Sequence, residues 1–182
     1  MTLPDDALAA KKRIMFIKGE DFNFLAYNIL IVLDALKCYS ADNSLRDYDK
    51  LAYLVDLISS PTLATIIERR ARLGSTLSKR DIHSLSIAYT NGAARKHFVA
   101  RVLNSLKTRE FLDIKRGEHE LDVNVWLNSE RLPNGFLVSD LYAPERANIE
   151  LLKSVSKFLR TIKFQTFLLR FYGDQGVRLW HS

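Results

Sequence analysis

Residues 78–127 read SKRDIHSLSIAYTNGAARKHFVARVLNSLKTREFLDIKRGEHELDVNVWL. Ser78, with Asp81 three residues on, makes an arrangement close to a capping box, and Ile82, Leu85, Ile87 and Ala88 continue it as a helix. Asn91-Gly92 predicts a turn. A second helix, Ala93 to Arg109, places Phe98, Val99, Val102, Leu103 and Leu106 on one stripe and His97, Arg101, Asn104 and Thr108 on the other. Phe111 to Ile114 is strand-like, Arg116-Gly117-Glu118 can turn, and Leu121, Val123, Val125 and Leu127 alternate with Glu120, Asp122, Asn124 and Trp126. Helix, turn, helix and two-stranded ribbon follow one another in the order of a winged helix-turn-helix.

On the N-terminal side, Phe24 to Leu36 is apolar around nearly its whole circumference, which describes a helix covered on several sides, in a core or an interface. After the polar Ser40–Ser44 connection, Asp47 is the expected N-cap of a helix carrying Leu51, Leu54, Val55 and Ile58, which Ser60-Pro61 ends. A further helix over 62–73 turns Leu63, Ile66 and Ile67 inward and Glu68, Arg69, Arg70 and Arg72 outward. Gly74-Ser-Thr is the expected boundary. Beyond the ribbon, Asn128 to Gly135 is a polar loop, and Pro144 opens a long helix with Ile149, Leu152, Val155, Leu159 and Ile162 at helical spacing. The tail is rich in aromatics, with Phe164, Phe167, Phe171, Tyr172 and Trp180, and either folds back on the core or docks elsewhere. The expected class is mainly α with a small β-ribbon: a helical block at 1–74, a winged helix-turn-helix at 75–136 and a C-terminal helical extension at 137–182.

Composition limits the function classes. With 182 residues, 47% hydrophobic and 26% charged, the chain can bury a core and is not a disordered scaffold. No apolar run of about 18 residues occurs and acids open the sequence, so neither a membrane span nor a secretory signal is expected. The single Cys38 excludes an internal disulfide, and both features point to the cytoplasm. The formal net charge of +6 permits a polyanionic partner. His83, His97, His119 and His181 are scattered, and no phosphate-cradling loop precedes a Lys-Ser or Lys-Thr, so no metal, cofactor or nucleotide is expected. Glu118, Glu120 and Asp122 beside His119 could hold Mg²⁺ in a nuclease, but alternating acids on a solvated strand explain them more simply.

Between Ala93 and Arg116, Arg95, Lys96, Arg101, Lys107, Arg109, Lys115 and Arg116 outnumber Glu110 and Asp113. The residues expected to meet nucleic acid are Arg95, Lys96, His97, Arg101, Asn104, Lys107 and Arg116, with Arg101 and Asn104 testing base edges and Lys107 and Arg116 on the backbone. The residues expected to meet a protein partner are the apolar Phe24, Tyr27, Leu30 and Ile31 at one end and Phe167, Phe171 and Trp180 at the other.

Asn28-Ile-Leu-Ile-Val-Leu-Asp-Ala-Leu36, then Asp49-Lys-Leu-Ala-Tyr-Leu-Val-Asp56 and Ser60-Pro61, resemble the opening of the small middle components of bacterial three-component ABC ATPase systems. They are similar, too, to the small accessory subunit of Lamassu-type antiphage defence. The resemblance covers a hydrophobic register with a few polar residues over 28–61. It implies winged-helix-like units in tandem and a non-catalytic adaptor, not an enzyme, coupling an SMC- or Rad50-like ABC ATPase to an effector subunit, often a nuclease. DNA is then contacted directly or through the complex. The alternative is a free winged-helix transcriptional regulator.

Overall fold

A computed structural model describes residues 22–74, 76–117 and 123–180. Helix α1 (Phe22–Ala35) is covered nearly all round, by α2 (Lys50–Ser59), α4 (Lys79–Thr108), α5 (Ala143–Val155) and the ribbon, as its unbroken apolar circumference requires. Its end is a left-handed turn at Lys37, φ 58°, where the Cys38 N–H reaches back to the Leu33 carbonyl at 2.8 Å. The chain then follows one edge of the ribbon formed by β1 (Leu112–Arg116) and β2 (Val123–Leu127). The Leu127 N–H donates to Cys38 O, Leu45 and Val125 exchange both backbone bonds, and the Tyr48 N–H donates to Val123 O. The other edge of β2 pairs antiparallel with β1, Ile114 opposite Val125. The order across the sheet is therefore the 38–48 segment, β2, β1.

Helix α3 (Pro61–Leu73) starts where Ser60-Pro61 predicts: Ser60 Oγ accepts the Leu63 N–H and Pro61 occupies the first turn. Gly74 ends it at φ 62°, with Leu63, Ile66 and Ile67 buried as expected. Ser78 then caps α4, its Oγ accepting the Asp81 N–H at 3.1 Å. The helix does not stop at Asn91-Gly92. It runs unbroken for 30 residues, and neither residue has positive φ, so the two expected helices of 78–109 are one. Gly92 has a packing role instead. A Cβ there would lie 2.5 Å from Tyr53 Cδ1 and 2.8 Å from Cγ, so only glycine lets α4 cross α2 at this distance.

The C-terminal part differs from expectation in length. Helix α5 stops at Ser156, short of Ile162, and α6 (Phe164–Phe171) begins after a turn. That turn is held from more than a hundred residues away. The Lys50 ammonium, fully buried, donates to the carbonyls of Leu159 (3.2 Å), Arg160 (3.1 Å) and Ile162 (2.8 Å). The Arg46 N–H donates to Arg160 O, and Asp47 Oδ2 accepts the Phe164 N–H at 2.9 Å, capping α6. Asp47 is thus not the N-cap of α2; Asp49 stands there, and its side chain makes no capping bond to the helix. Asn148 Nδ2, donating to Ile58 O at 2.7 Å, ties α5 to the end of α2.

One continuous core joins residues from all three expected parts, with α3 on α5, α2 on α4 and α1 between them. The aromatic tail folds back onto it: Tyr172 is buried, donates to Tyr53 O at 3.2 Å and packs edge-on to Tyr53 and Phe167. Among the described residues no single helix is long and apolar enough to cross a membrane, and α2 and α3 bend by 101° at their junction.

Two outcomes follow from this packing. In an open helix, alanine for glycine adds up to about 1 kcal/mol of stability. At Gly92 the sign should reverse, with Gly92→Ala losing about 1–3 kcal/mol in urea denaturation because Tyr53 has no room to yield. A stabilised variant would show that the two helices do not meet there. Stability should also depend on pH in an unusual direction. Burial lowers the Lys50 pKa from 10.5 to about 7, so above neutrality the unfolded chain binds this proton more tightly and stability rises with pH. Burial raises the Cys38 thiol from 9.0 to about 12, which opposes the gain above pH 9. It raises Tyr53 and Tyr142 from 10.0 to about 12, and Tyr172 well above 10.0, so stability falls beyond pH 10. Urea midpoints should climb from pH 7 to 9, level off and then drop; a steady fall from pH 7 to 9 would contradict the buried ammonium.

Candidate nucleic-acid interface

On α4 the buried stripe Val99, Val102, Leu103 and Leu106 faces α2, α1 and β1, so the opposite face is left outside. His97, Arg101, Asn104 and Thr108, spaced by four, three and four residues, lie together on it and are all exposed. Lys107 is exposed beside them. The Arg101 guanidinium lies 5.8 Å from the centroid of Phe98, whose ring steadies it. Towards the N-terminus the outer face continues through Ala94, Thr90, Ile87, His83 and Arg80. Lys115 and Arg116, at the far end of β1, are exposed as well.

Among the described residues, the acids near this face each have a partner, while Glu118, Glu120 and Asp122, the acids beside Arg116 that would oppose a phosphate surface, are not among them. Asp81 is the single acid of α4 and is held by Arg69 at 3.1 Å. Glu110 pairs with Arg131 at 3.2 Å, and Asp113 accepts from Asn128 at 3.0 Å. Glu118, His119, Glu120 and Asp122, the imagined Mg²⁺ ligands, lie outside the described residues, as does His181. Among the described residues no three His, Cys, Asp or Glu side chains gather where they could hold a metal ion.

Two of the expected nucleic-acid contacts are engaged elsewhere. Arg95 is buried: its Nη2 meets Asp56 Oδ1 at 3.0 Å and its Nη1 donates to Ala52 O at 3.3 Å, locking α4 to α2. Lys96 is half-buried, 3.0 Å from Asp49 Oδ2 and 4.4 Å above the Phe164 ring. Helical periodicity explains both, because 95 and 96 fall on the flank that turns towards α2 and α6 while 97, 101 and 104 do not. His97, Arg101, Asn104, Lys107 and Arg116 remain available.

The expected protein-binding residues fare differently. Phe24, Leu30, Ile31, Phe167 and Phe171 are core side chains, and Tyr27 is half-buried against Phe136 and Tyr142 with centroids 5.6 and 6.1 Å away. None of them forms a free apolar face. Their hydrophobicity is satisfied within the chain, since α1 and α6 each have neighbours to cover them. Trp180 alone of this set is exposed, at 62%, with its ring edge-on to Tyr89. No protein-family model, no curated protein and no solved structure matches this chain.

The contrast between Arg95 and Arg101 is measurable. Arg95→Ala strands Asp56 in the interior and should cost about 3 kcal/mol of folding stability. Arg101→Ala should leave the urea midpoint nearly unchanged. Equal midpoints for the two variants would contradict the buried pair.

Proposed function

We propose that this chain is a non-catalytic, winged-helix-like adaptor that lays the outer face of α4 and its ribbon on DNA, serving an SMC- or Rad50-like ABC ATPase and its effector. The observation that carries the reading is the basic face itself, where His97, Arg101, Asn104 and Lys107 share one exposed side of a helix whose single acid is neutralised. Topology adds support. Helix α1, the extended 38–48 segment, α2, then α4 and the β1–β2 ribbon follow the winged-helix order, with α3 as an insertion and the 38–48 segment on the outer edge of β2. The unit thus reaches from α1 to the ribbon, with α4 as the helix offered to the groove. Arg101 and Asn104 then face base edges, while Lys107 and Arg116 meet phosphates.

The ATPase partnership draws on the resemblance of residues 28–61, and its docking surface is not α1. Burial of Phe24, Leu30 and Ile31 favours the second reading, a free winged-helix transcriptional regulator, because it removes the apolar patch an ATPase would have gripped. Copurification with a coiled-coil ATPase encoded beside it would favour the adaptor, whereas solo elution from coexpression would favour the regulator.

Both readings share one expectation. Fluorescence anisotropy on duplex DNA should show affinity falling steeply with salt, and Arg101→Ala should weaken binding by about tenfold or more. Lys107→Ala should weaken all sequences alike and reduce the salt slope by about one. Undiminished affinity in both variants would rule out this face of α4.

A further inference from the structure

Helix α4 is longer than the contact proposed for it. His97 to Thr108 cover roughly 17 Å of its ~45 Å, and a straight helix leaves a groove that curves away around the duplex, so the N-terminal half of α4 projects past the DNA it holds. Residues 176–180 lie along that half. Gly176 sits against Ile82, whose Cδ1 is 3.4 Å from where a Cβ would stand, and further along α4 the Trp180 ring meets Tyr89. We propose that the Trp180 indole, with Arg178 beside it, is a stacking platform for an unpaired base, so that the chain takes DNA with a single-stranded end next to the duplex held by α4. The inference rests on the DNA reading of α4 and names the form of DNA that this face receives.

The tail alternates as an extended strand does. Val177 is buried and Leu179 packs against the core, its Cδ1 3.2 Å from a Cβ built on Gly173, whereas Arg178 and Trp180 are exposed. A period of two therefore puts a guanidinium and an indole on one side, the pair that a single strand needs for its phosphate and its base. The platform is also held in place. The Trp180 N–H donates to Tyr89 Oη at 3.2 Å, and the same hydroxyl donates to Trp180 O at 3.3 Å. Tyr89 is itself buried, with its ring 5.6 Å from Tyr53 and 5.5 Å from Tyr172, and it meets the indole edge-on at 6.2 Å. An aromatic residue left 62% exposed yet pinned through its own backbone loses little freedom when a base stacks on it.

The surrounding charge favours a polyanion as the occupant. Lys79, Arg80 and His83 are exposed on the same half of α4, where Asp81 is held by Arg69 at 3.1 Å. From Phe164 to Trp180 the one acid is Asp174, which lines a cleft with Arg70 and Arg170. Every base has a π-face, so a stacking platform reads no sequence and leaves that task to Arg101 and Asn104.

The test compares a blunt duplex with the same duplex carrying a short 3′ or 5′ thymidine tail, by anisotropy and by tryptophan fluorescence on the intact chain. At least one tailed duplex should bind about fivefold or more tighter than the blunt one and quench the emission further. Trp180→Ala should remove both the gain and the extra quenching while leaving blunt-duplex affinity as it was, and Trp180→Phe should recover much of the gain. Arg178→Ala should reduce the gain most at low salt, and Arg101→Ala should weaken blunt and tailed duplexes alike. The inference is overturned if neither tail improves binding or if the gain survives Trp180→Ala; with the blunt duplex still bound through Arg101, either result leaves the reading of α4 standing. Absence of blunt-duplex binding is failure of that reading and takes this inference with it. Sedimentation supplies a further check: a dimer dissolved by Trp180→Ala would mean that a second copy covers the indole, and would overturn the platform.

Discussion

The crossing of α2 and α4 at Gly92 and Tyr53 governs the rest of the molecule. With no Cβ at residue 92, the two helices approach closely enough for the Tyr53 ring to lie against the α4 backbone. The same ring is then surrounded by Tyr89, Phe164 and Tyr172, at centroid distances of 5.6, 5.5 and 6.0 Å. The buried Arg95–Asp56 pair, one turn further along, fixes the rotation of α4 about its own axis. This rotation determines which side of a helix some 45 Å long faces solvent.

A second constraint joins the ends of the chain to its middle. Lys50 is a buried ammonium at the start of α2, and its three protons meet three carbonyls of the turn before α6. Asp47, in a left-handed conformation at φ 56°, caps that helix from the neighbouring position. Charged residues far apart in sequence therefore do what a local cap would do elsewhere. This stitching fixes where α6 begins.

The basic residues divide into two kinds by position alone. Lys50, Arg95 and Lys96 have partners supplied by the fold and stabilise it, while Arg101, Lys107, Lys115 and Arg116 point outward. The first kind cannot be removed without disturbing the core, whereas the second can change without affecting packing. A surface charge kept on one side of a helix, with few acids against it among the described residues, is suited to a polyanion. The apolar residues show the converse, for Phe24, Leu30, Ile31, Phe167 and Phe171 all turn inward.

Periodicity and capping made much of this legible from the sequence. The covered character of α1, the Ser60-Pro61 start of α3, its Gly74 end, the Ser78 cap of α4, the ribbon alternation and the outward side of α4 at His97, Arg101 and Asn104 all depend on neighbours within a few positions. Such local physics can be read along the chain. Asn91-Gly92 could not be read that way, because a glycine that admits a turn and a glycine that admits a neighbouring helix look the same until the neighbour is known. The fates of Arg95, Lys50 and Asp47 likewise rest on partners 39, 109 and 117 residues away. The sequence by itself determined most of the helix and strand segments and which of their faces are oily. Only the tertiary structure decided which oily faces were already covered and which charges were already paired, since each depends on contacts between segments far apart in sequence.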